Sequence, residues 1–212
     1  MTEREVRRSS PDPGAWDAAY RSGIVPWDVG HPQSVFVRLA DAGAIASPVL
    51  EAGCGTGGHA LYFSSRGIEA VGVDFSPVAI AAARAKAAER RLPAEFFVHD
   101  VLDLASLGQQ FQTLVDSGTF HVFNVASDVA RYVEGLRTVL APAGVLHLLC
   151  FSDAQPGDVG PRRVSQADLR AAFDHGWSIE SIEPATFDVN PPIGAAKAWL
   201  ARIVRLEDPP RT

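Results

Sequence analysis

The stretch "VLEAGCGTGGHALYFSSRG" at residues 49–67 constrains the fold more than any other part of the chain. An apolar run closes on Glu51, a cluster of glycines follows, and an apolar segment then runs to Gly67. Gly53, Gly55 and Gly58 fall in the spacing G-x-G-x-x-G. There a strand turns tightly into a helix, and backbone N–H groups come close to a ligand. The spacing alone does not separate a dinucleotide from another nucleoside.

The alternation of strand and helix continues beyond this loop. "EAVGVDF" (69–75) reads as a second strand, and "SPVAIAAARAKAAERR" (76–91) as a helix with Ser76 at its cap and Pro77 at its first position. "AEFFVHDVLDL" (94–104) and "QTLVDSGTFHVF" (112–123) read as the third and fourth strands, with a helix over 128–144. "VLHLLCFS" (145–152) is continuously apolar, as a strand buried on both faces must be. A helix follows over 165–176, capped by Ser165, and then "WSIESIE" and "AWLARIVRL" alternate apolar and polar residues without a helix between them. The prediction is an α/β fold, a Rossmann-like doubly wound sheet of seven strands. It is mostly parallel and ends in an antiparallel hairpin. Ahead of it, "SVFVRLADAGAI" (34–45) reads as a helix capped by Ser34, and a short helix over 15–21 places Trp16 and Tyr20 on one face. The expected organisation is a flexible stretch over 1–13 and one domain over 14–212, comprising an N-terminal helical lid at 14–46 and the Rossmann-like core at 47–212.

With 212 residues, 47% of them hydrophobic, the chain can bury one substantial core. A net charge of −6 without a basic block past the first eight residues argues against a nucleic-acid partner. No apolar run is long enough to span a membrane, and the polar N-terminus lacks a signal-peptide centre, so the expected location is the cytoplasm. Cys54 and Cys150 have neither Cys nor His nearby at metal-ligand spacing, so neither a metal site nor a disulfide framework is expected.

Carboxylates decide which nucleoside the loop serves. Asp74 ends the second strand, where an acidic group grips the hydroxyls of a ribose. Glu51 stands two residues before Gly53, opposing a pyrophosphate but suiting an ammonium group. Asp100, in "VHDV", occupies the next strand end, within reach of an adenine amino group. Acids at three successive strand tips suit a cationic nucleoside without phosphates, as S-adenosyl-L-methionine (SAM) is.

"EAGCGTG", "VGVDFS", "HDVLDL" and "VDSGTFHVF" resemble motifs I to IV of the class I SAM-dependent methyltransferases, over residues 49–150. "WDAAYRSGIVPWDVGHPQ" and "GPRRVSQADLRAAF" resemble the lid and the substrate-side loop of the thiopurine and thiol methyltransferase-like branch. That branch includes the heterocyclic-toxin methyltransferases. The resemblance implies that Glu51, Gly53, Gly55 and Gly57 floor the methionine side, while Asp74 and Phe75 hold ribose and adenine. It further implies that Asp100 and Val101 flank the adenine, that Asp116 and Ser117 begin the loop beside the transferred methyl, and that Trp16, Tyr20 and Trp27 fold over the cofactor. The branch often has tryptophan at the place of Tyr20, and its thiopurine enzymes have arginine at that of Ser117, a departure that disfavours thiopurines themselves.

The expected activity is methylation of a hydroxyl oxygen on a small aromatic heterocycle, a detoxification of the hydroxyquinolone type, yielding S-adenosyl-L-homocysteine (SAH). Alternatives are S-methylation of small thiols, an NAD(P)-dependent reductase, and a SAM-binding regulator without catalysis. His121, past the fourth strand's end, is the first candidate for a general base, and His31, in the lid loop, the second. Tyr20, Phe36, Phe120, His121, Tyr132 and Phe151 are candidates for the substrate pocket. Arg162 and Arg163 suit an anionic substrate, but a solvated loop pair is the more common explanation for such residues. "NPPI" (190–193) resembles an amino-group methyltransferase signature but stands in the terminal hairpin, not after strand four, and is set aside. A small aromatic or heterocyclic substrate is the expected partner, with no metal, no nucleic acid and no membrane, for a monomer or homodimer.

Overall fold

The computed structural model describes residues 13–23, 25–191 and 194–207, except the side chain of Pro13. The stretch expected to be flexible therefore lies outside the described residues, apart from the backbone of Pro13. Pro192 and Ile193 of "NPPI" lie outside them too.

Two helices, α1 (Pro13–Ser22) and α2 (Ser34–Asp41), precede the sheet. The order is then β1 (Val49–Ala52), α3 (Gly58–Ser65), β2 (Ala70–Asp74), α4 (Pro77–Arg90), β3 (Glu95–Val98), β4 (Phe111–Ser117), α5 (Ala126–Val139), β5 (Leu140–Phe151), α6 (Gln166–Ala172), β6 (Trp177–Asp188) and β7 (Ala195–Arg205). Short 3-10 segments cover Val101–Leu107 and Phe120–Val122. Across the sheet the strands run β3-β2-β1-β4-β5-β7-β6. The first five are parallel, and β7 pairs antiparallel with both β5 and β6. The α/β class, the seven strands and the terminal hairpin are as the sequence predicts.

Both faces of the sheet are covered because residues alternate across it. Val49, Val115 and Leu149 pack with α2, α3 and α4, whereas Leu50, Leu114 and Leu148 pack with α5 and α6 on the other face. Cys54 and Cys150 belong to different faces, and both are buried free thiols. The capping signals act as read: the Ser76 hydroxyl accepts from Ala79 N ahead of Pro77. Ser165 and Asp168 form a reciprocal capping box on α6.

Several boundaries move. Helix α2 is capped by the backbone of Gln33, not by Ser34, and ends at Asp41. The third strand stops at Val98, because the Asp100 carboxylate caps Leu102 N and starts a 3-10 turn. The fourth stops at Ser117, where the Asp116 carboxylate collects N–H groups of the following turn. Helix α5 ends at Val139, earlier than expected, and strand pairing with Phe111 resumes at Leu140. Among the described residues no helix is long and apolar enough to cross a membrane.

Order reverses between β1 and β4, and the crevice outside the carboxyl ends of the strands at that switch point is where ligands bind in open α/β sheets.

Candidate active site

A cavity of about 1210 Å³ opens at that switch point. It exceeds the usual size of a small-molecule site, leaving room for a nucleoside and a second molecule. The tips of β1, β2 and β4, the lid segment, the loop over 157–163 and the end of β6 line it.

On one side the wall is the glycine loop. Gly53, Gly55 and Gly57 all have positive φ. A Cβ on Gly55 would stand 2.7 Å from the Tyr20 hydroxyl, and one on Gly53 would collide with Thr119. Four of the loop's amides are already used within the protein. Gly53 N and Cys54 N donate to Val73 O, Gly55 N to an Asp74 carboxylate oxygen and Gly57 N to Cys54 O. A loop that cradles a pyrophosphate keeps such N–H groups for the ligand.

Three acids line this half: Glu51, Asp74 and Asp100. Asp74 accepts from Gly55 N and Ser76 N, one bond to each oxygen, and burial raises its pKa. A carboxylate has about four lone-pair sites, so acceptor capacity remains on the cavity side. Beside it Phe75 is 38% exposed, unusual for a phenylalanine, and lines the cavity. Asp100 spends Oδ1 on its cap, while Oδ2 has no partner among the described residues.

Glu51 is buried at the end of a hydrogen-bond relay. Gln33 N donates to His59 Nε2 at 3.0 Å, His59 Nδ1 lies 2.6 Å from Glu51 Oε1, and Ala60 N donates to Oε2. Since the backbone N–H can only donate, His59 carries its proton on Nδ1 and gives that bond to Glu51. Gln33 also exchanges two side-chain bonds with the backbone of Asp188, tying β6 to the same relay.

The lid is clamped at both ends. Asp17 on α1 accepts from the Ser76 hydroxyl and pairs with Arg21. Asp28 accepts from Thr56 Oγ1, which itself accepts from Lys86 Nζ. Asn190 donates through Nδ2 to the carbonyls of Val25 and Asp28, and through its backbone N to Pro26 O. Between these clamps Trp27 Nε1 donates to Tyr20 OH at 2.9 Å, and the Trp16 ring meets Trp27 edge-on at 4.8 Å. All three aromatics line the cavity.

The opposite half is walled by side chains. His121, Phe123, Phe151 and Phe187 line it, with Val159 and Arg162 from the loop after β5. His121 lies 5.2 Å from the Phe151 ring and 5.9 Å from that of Phe187. Arg163 threads its loop, donating to the carbonyls of Gln155, Gly157, Val159 and Pro161 while stacking on Phe151. The expected solvated pair is thus replaced by one arginine that organises its loop and one that faces inward.

His121 is corrected from base to donor. Its Nδ1 accepts from Phe151 N at 3.0 Å, so Nε2 carries the proton. Burial and the nearby Arg162 and Arg163 depress its pKa to about 3. His31 has the reverse arrangement: Nδ1 lies 3.0 Å from Pro32 O and must donate to it, leaving Nε2 as an acceptor at the cavity.

The structure brings Trp16, Tyr20, Trp27, His31, Glu51, Gly53, Gly55, Asp74, Phe75, Asp100, Val101, Ser117, His121 and Phe151 to the cavity. It does not bring Gly57, Asp116, Phe36, Phe120 or Tyr132 there. Gly57 is small because a Cβ would strike Phe96 at 2.7 Å. Asp116 is fully buried and braces the 117–120 turn, accepting from Thr119 N, Phe120 N and the Tyr132 hydroxyl; burial pushes its pKa up to about 7. Tyr132 is therefore that carboxylate's partner. Phe36 packs edge-on against His59, and Phe120 lies under the Arg162 guanidinium.

Sequence reasoning missed Gln33, Thr56, Phe187 and Asn190 as parts of the site. Only Thr56, inside the glycine loop, had a local signal; Asn190 was visible as part of "NPPI" and was set aside for the wrong position. Among the described residues no three His, Cys, Asp or Glu side chains are arranged to hold a metal ion.

Residues 49–144 match the family model described as a methyltransferase domain. A 2-heptyl-1-hydroxyquinolin-4(1H)-one methyltransferase of Mycobacteroides abscessus is 36% identical over 168 residues, which is 78% of this chain and 74% of that protein. A probable thiol methyltransferase 2 of Arabidopsis thaliana is 26% identical, covering 87% of this chain and 82% of its own. A solved structure concerned with the conversion of a disulfide bond into a thioacetal group during echinomycin biosynthesis superposes with a TM-score of 0.84. It is 35% identical, over 92% of this chain and 93% of that one.

Proposed function

The chain belongs to the class I SAM-dependent methyltransferases, and from that premise we propose that it methylates a hydroxyl oxygen of a small aromatic heterocycle of the hydroxyquinolone kind. The observation that carries the reading is the second half of the cavity. Beyond the glycine loop it continues along Phe123, Phe151 and Phe187, an aromatic wall for a flat ring, with Phe151 and Phe187 packed edge-on against each other. The Mycobacteroides relative, named for a hydroxyquinolone, supports the same acceptor class.

SAM fits the first half. Its carboxylates, with four of the loop's amides spent internally, suit a nucleoside with a positive charge and no phosphate, which disfavours a reductase. When bound, SAM supplies a methyl group on a cationic sulfur. Asp74 and Phe75 hold its ribose and adenine, Asp100 and Val101 flank the base, and Glu51, Gly53 and Gly55 floor the methionine side, with Ser117 beside the methyl. Trp16, Tyr20 and Trp27 close over it and exclude water. Alignment in a water-poor pocket is most of what such a displacement requires. His31 takes the proton from an acceptor that arrives neutral, through the Nε2 that Pro32 leaves as an acceptor.

Sulfur is the second reading, favoured by the Arabidopsis thiol methyltransferase and the echinomycin-pathway structure among the similar proteins. A turnover panel of hydroxyquinolones, arene thiols and arylamines, read by mass of the product, tests both. Methylation of oxygen ahead of sulfur is expected. Methylation of the thiols alone would transfer the assignment to sulfur, and no product from any member would leave a non-catalytic SAM binder.

A further inference from the structure

Arg162 is a charged group with nothing to hold in the described structure. Its guanidinium lies 5.4 Å over the Phe120 ring, and its Nε and Nη2 are buried without a hydrogen-bond partner. No carboxylate pairs with it. Asp168, near enough to feel its charge, is bound into the capping box with Ser165. Asp158, on the same loop and also in the cavity lining, is exposed and has no partner among the described residues, and Arg163 is engaged by four carbonyls. Asp116 faces away, toward Thr119, Phe120 and Tyr132. Leaving charged donors buried and unpaired is costly, so such a group is retained where a partner arrives from outside. Arg162 lines the cavity, and so does His121, whose Nε2–H makes no hydrogen bond among the described residues. Two donors thus converge on the acceptor half, while Asp158, the one carboxylate that the 157–163 loop adds to the lining, is exposed to solvent.

We propose that this half binds its acceptor as an aromatic anion, with the Arg162 guanidinium and the His121 Nε2–H receiving the negative atom or its conjugated neighbour. The inference rests on the methyltransferase reading of the cavity but not on the hydroxyquinolone assignment, since an arene thiolate presents the same charge. Nε and Nη2 lie within the wall, so pairing them turns the guanidinium on its stem away from Phe120. An acceptor held as an anion has already lost its proton. Its lone pair forms the new bond to the methyl carbon, the pair of the broken carbon–sulfur bond stays on sulfur, and one positive and one negative charge cancel with no proton left over. Such a charge-cancelling step is favoured in a site of low dielectric. His31 is then needed only for acceptors whose own pKa lies above the working pH.

The test measures equilibrium binding to the SAH-saturated protein of two pairs of probes. One pair is 1-hydroxyquinolin-4(1H)-one and its 1-methoxy counterpart; the other is 4-nitrothiophenol, ionised at neutral pH, and its methyl thioether. The ionised member of each pair is expected to bind roughly tenfold to a hundredfold tighter than the neutral one. Affinity for the hydroxyquinolone rises with pH until that compound is fully ionised and is then flat. Arg162→Met abolishes the preference, Arg162→Lys restores part of it, and SAH affinity is unchanged in both, which separates a lost anion site from a damaged fold. Equal binding of both members of each pair, or a preference that survives Arg162→Met, overturns the proposal. A preference seen for the thiolate alone keeps the anion site and defeats the hydroxyquinolone reading instead.

Discussion

From Glu51 to Val101 the cavity wall follows the chain. Glycine backbone, strand tips and their acids succeed one another at positions set by the βα alternation, and the loop's own amides are turned inward to Val73, Cys54 and Asp74. Across the cavity, His121, Phe151, Arg162 and Phe187 come from separate segments and meet only through packing. The first half is built from backbone geometry and presents negative charge. The second is built from side chains and presents donors. On the proposed reading the first takes the cofactor common to the family; the second is where members of one fold diverge, because loops change without disturbing the sheet.

The largest effect expected concerns His121 as an uncharged donor. Its pKa is depressed to about 3, and that of His147 to about 4, both chiefly by burial. Below pH 6.5 the unfolded chain binds protons that the native histidines refuse, so stability is lost as pH falls. Asp116, pushed up to about 7, works in the opposite direction, so the contribution is isolated by substitution. His121→Asn keeps an acceptor for Phe151 N but does not titrate. It is expected to be less stable than the parent at pH 7.5, with that deficit shrinking by about 3 kcal/mol by pH 4 in urea unfolding. A deficit independent of pH would show that His121 takes up its proton in the native state as readily as in the unfolded chain.

Gly55→Ala strikes the backbone-built half. It places a Cβ at φ +53 and 2.7 Å from the Tyr20 hydroxyl. SAH affinity should fall about 100-fold with the fold retained, from backbone strain plus a displaced lid. Calorimetric affinity within threefold of the parent would mean that the loop and lid move apart without cost.

Asn190→Ala removes both side-chain bonds from the hairpin to the lid carbonyls. A loss of about 1 kcal/mol, or fivefold in SAH affinity, is expected, with faster proteolysis inside residues 23–30. Unchanged proteolysis would assign the lid's position to Asp28 and Thr56 alone.

The smallest effect lies outside both halves. Arg91 ends α4 in the left-handed region at φ 53 and is exposed. Arg91→Gly should raise stability by about 1 kcal/mol and leave ligand affinity unaltered. An altered affinity would mean that α4 communicates with the site.

Legibility in the sequence follows the same division. Glu51, Gly53, Gly55, Asp74 and Asp100 line the cavity as read, because the position of each is fixed by its place in a strand–loop–helix unit, a local rule. Asp116 was misassigned by that rule, since a strand-end acid serves a ligand or its own turn according to which way the following loop folds. Phe36, Phe120 and Tyr132 were misplaced because an aromatic beside a strand end reads alike in core and pocket. His121 was found in place and wrong in role, for nothing near it in sequence announces that Phe151 N, thirty residues on, takes its Nδ1.

By itself, then, the sequence determined the sheet, its order of alternation and the acids at the strand tips that line the cavity, because hydrophobic period, capping and glycine turns act over a few residues. The tertiary structure alone decided which aromatics face the ligand, which histidine keeps a basic nitrogen and which of two adjacent arginines is left unpaired. Those depend on hydrogen bonds and contacts between residues far apart in the chain, which no local pattern specifies.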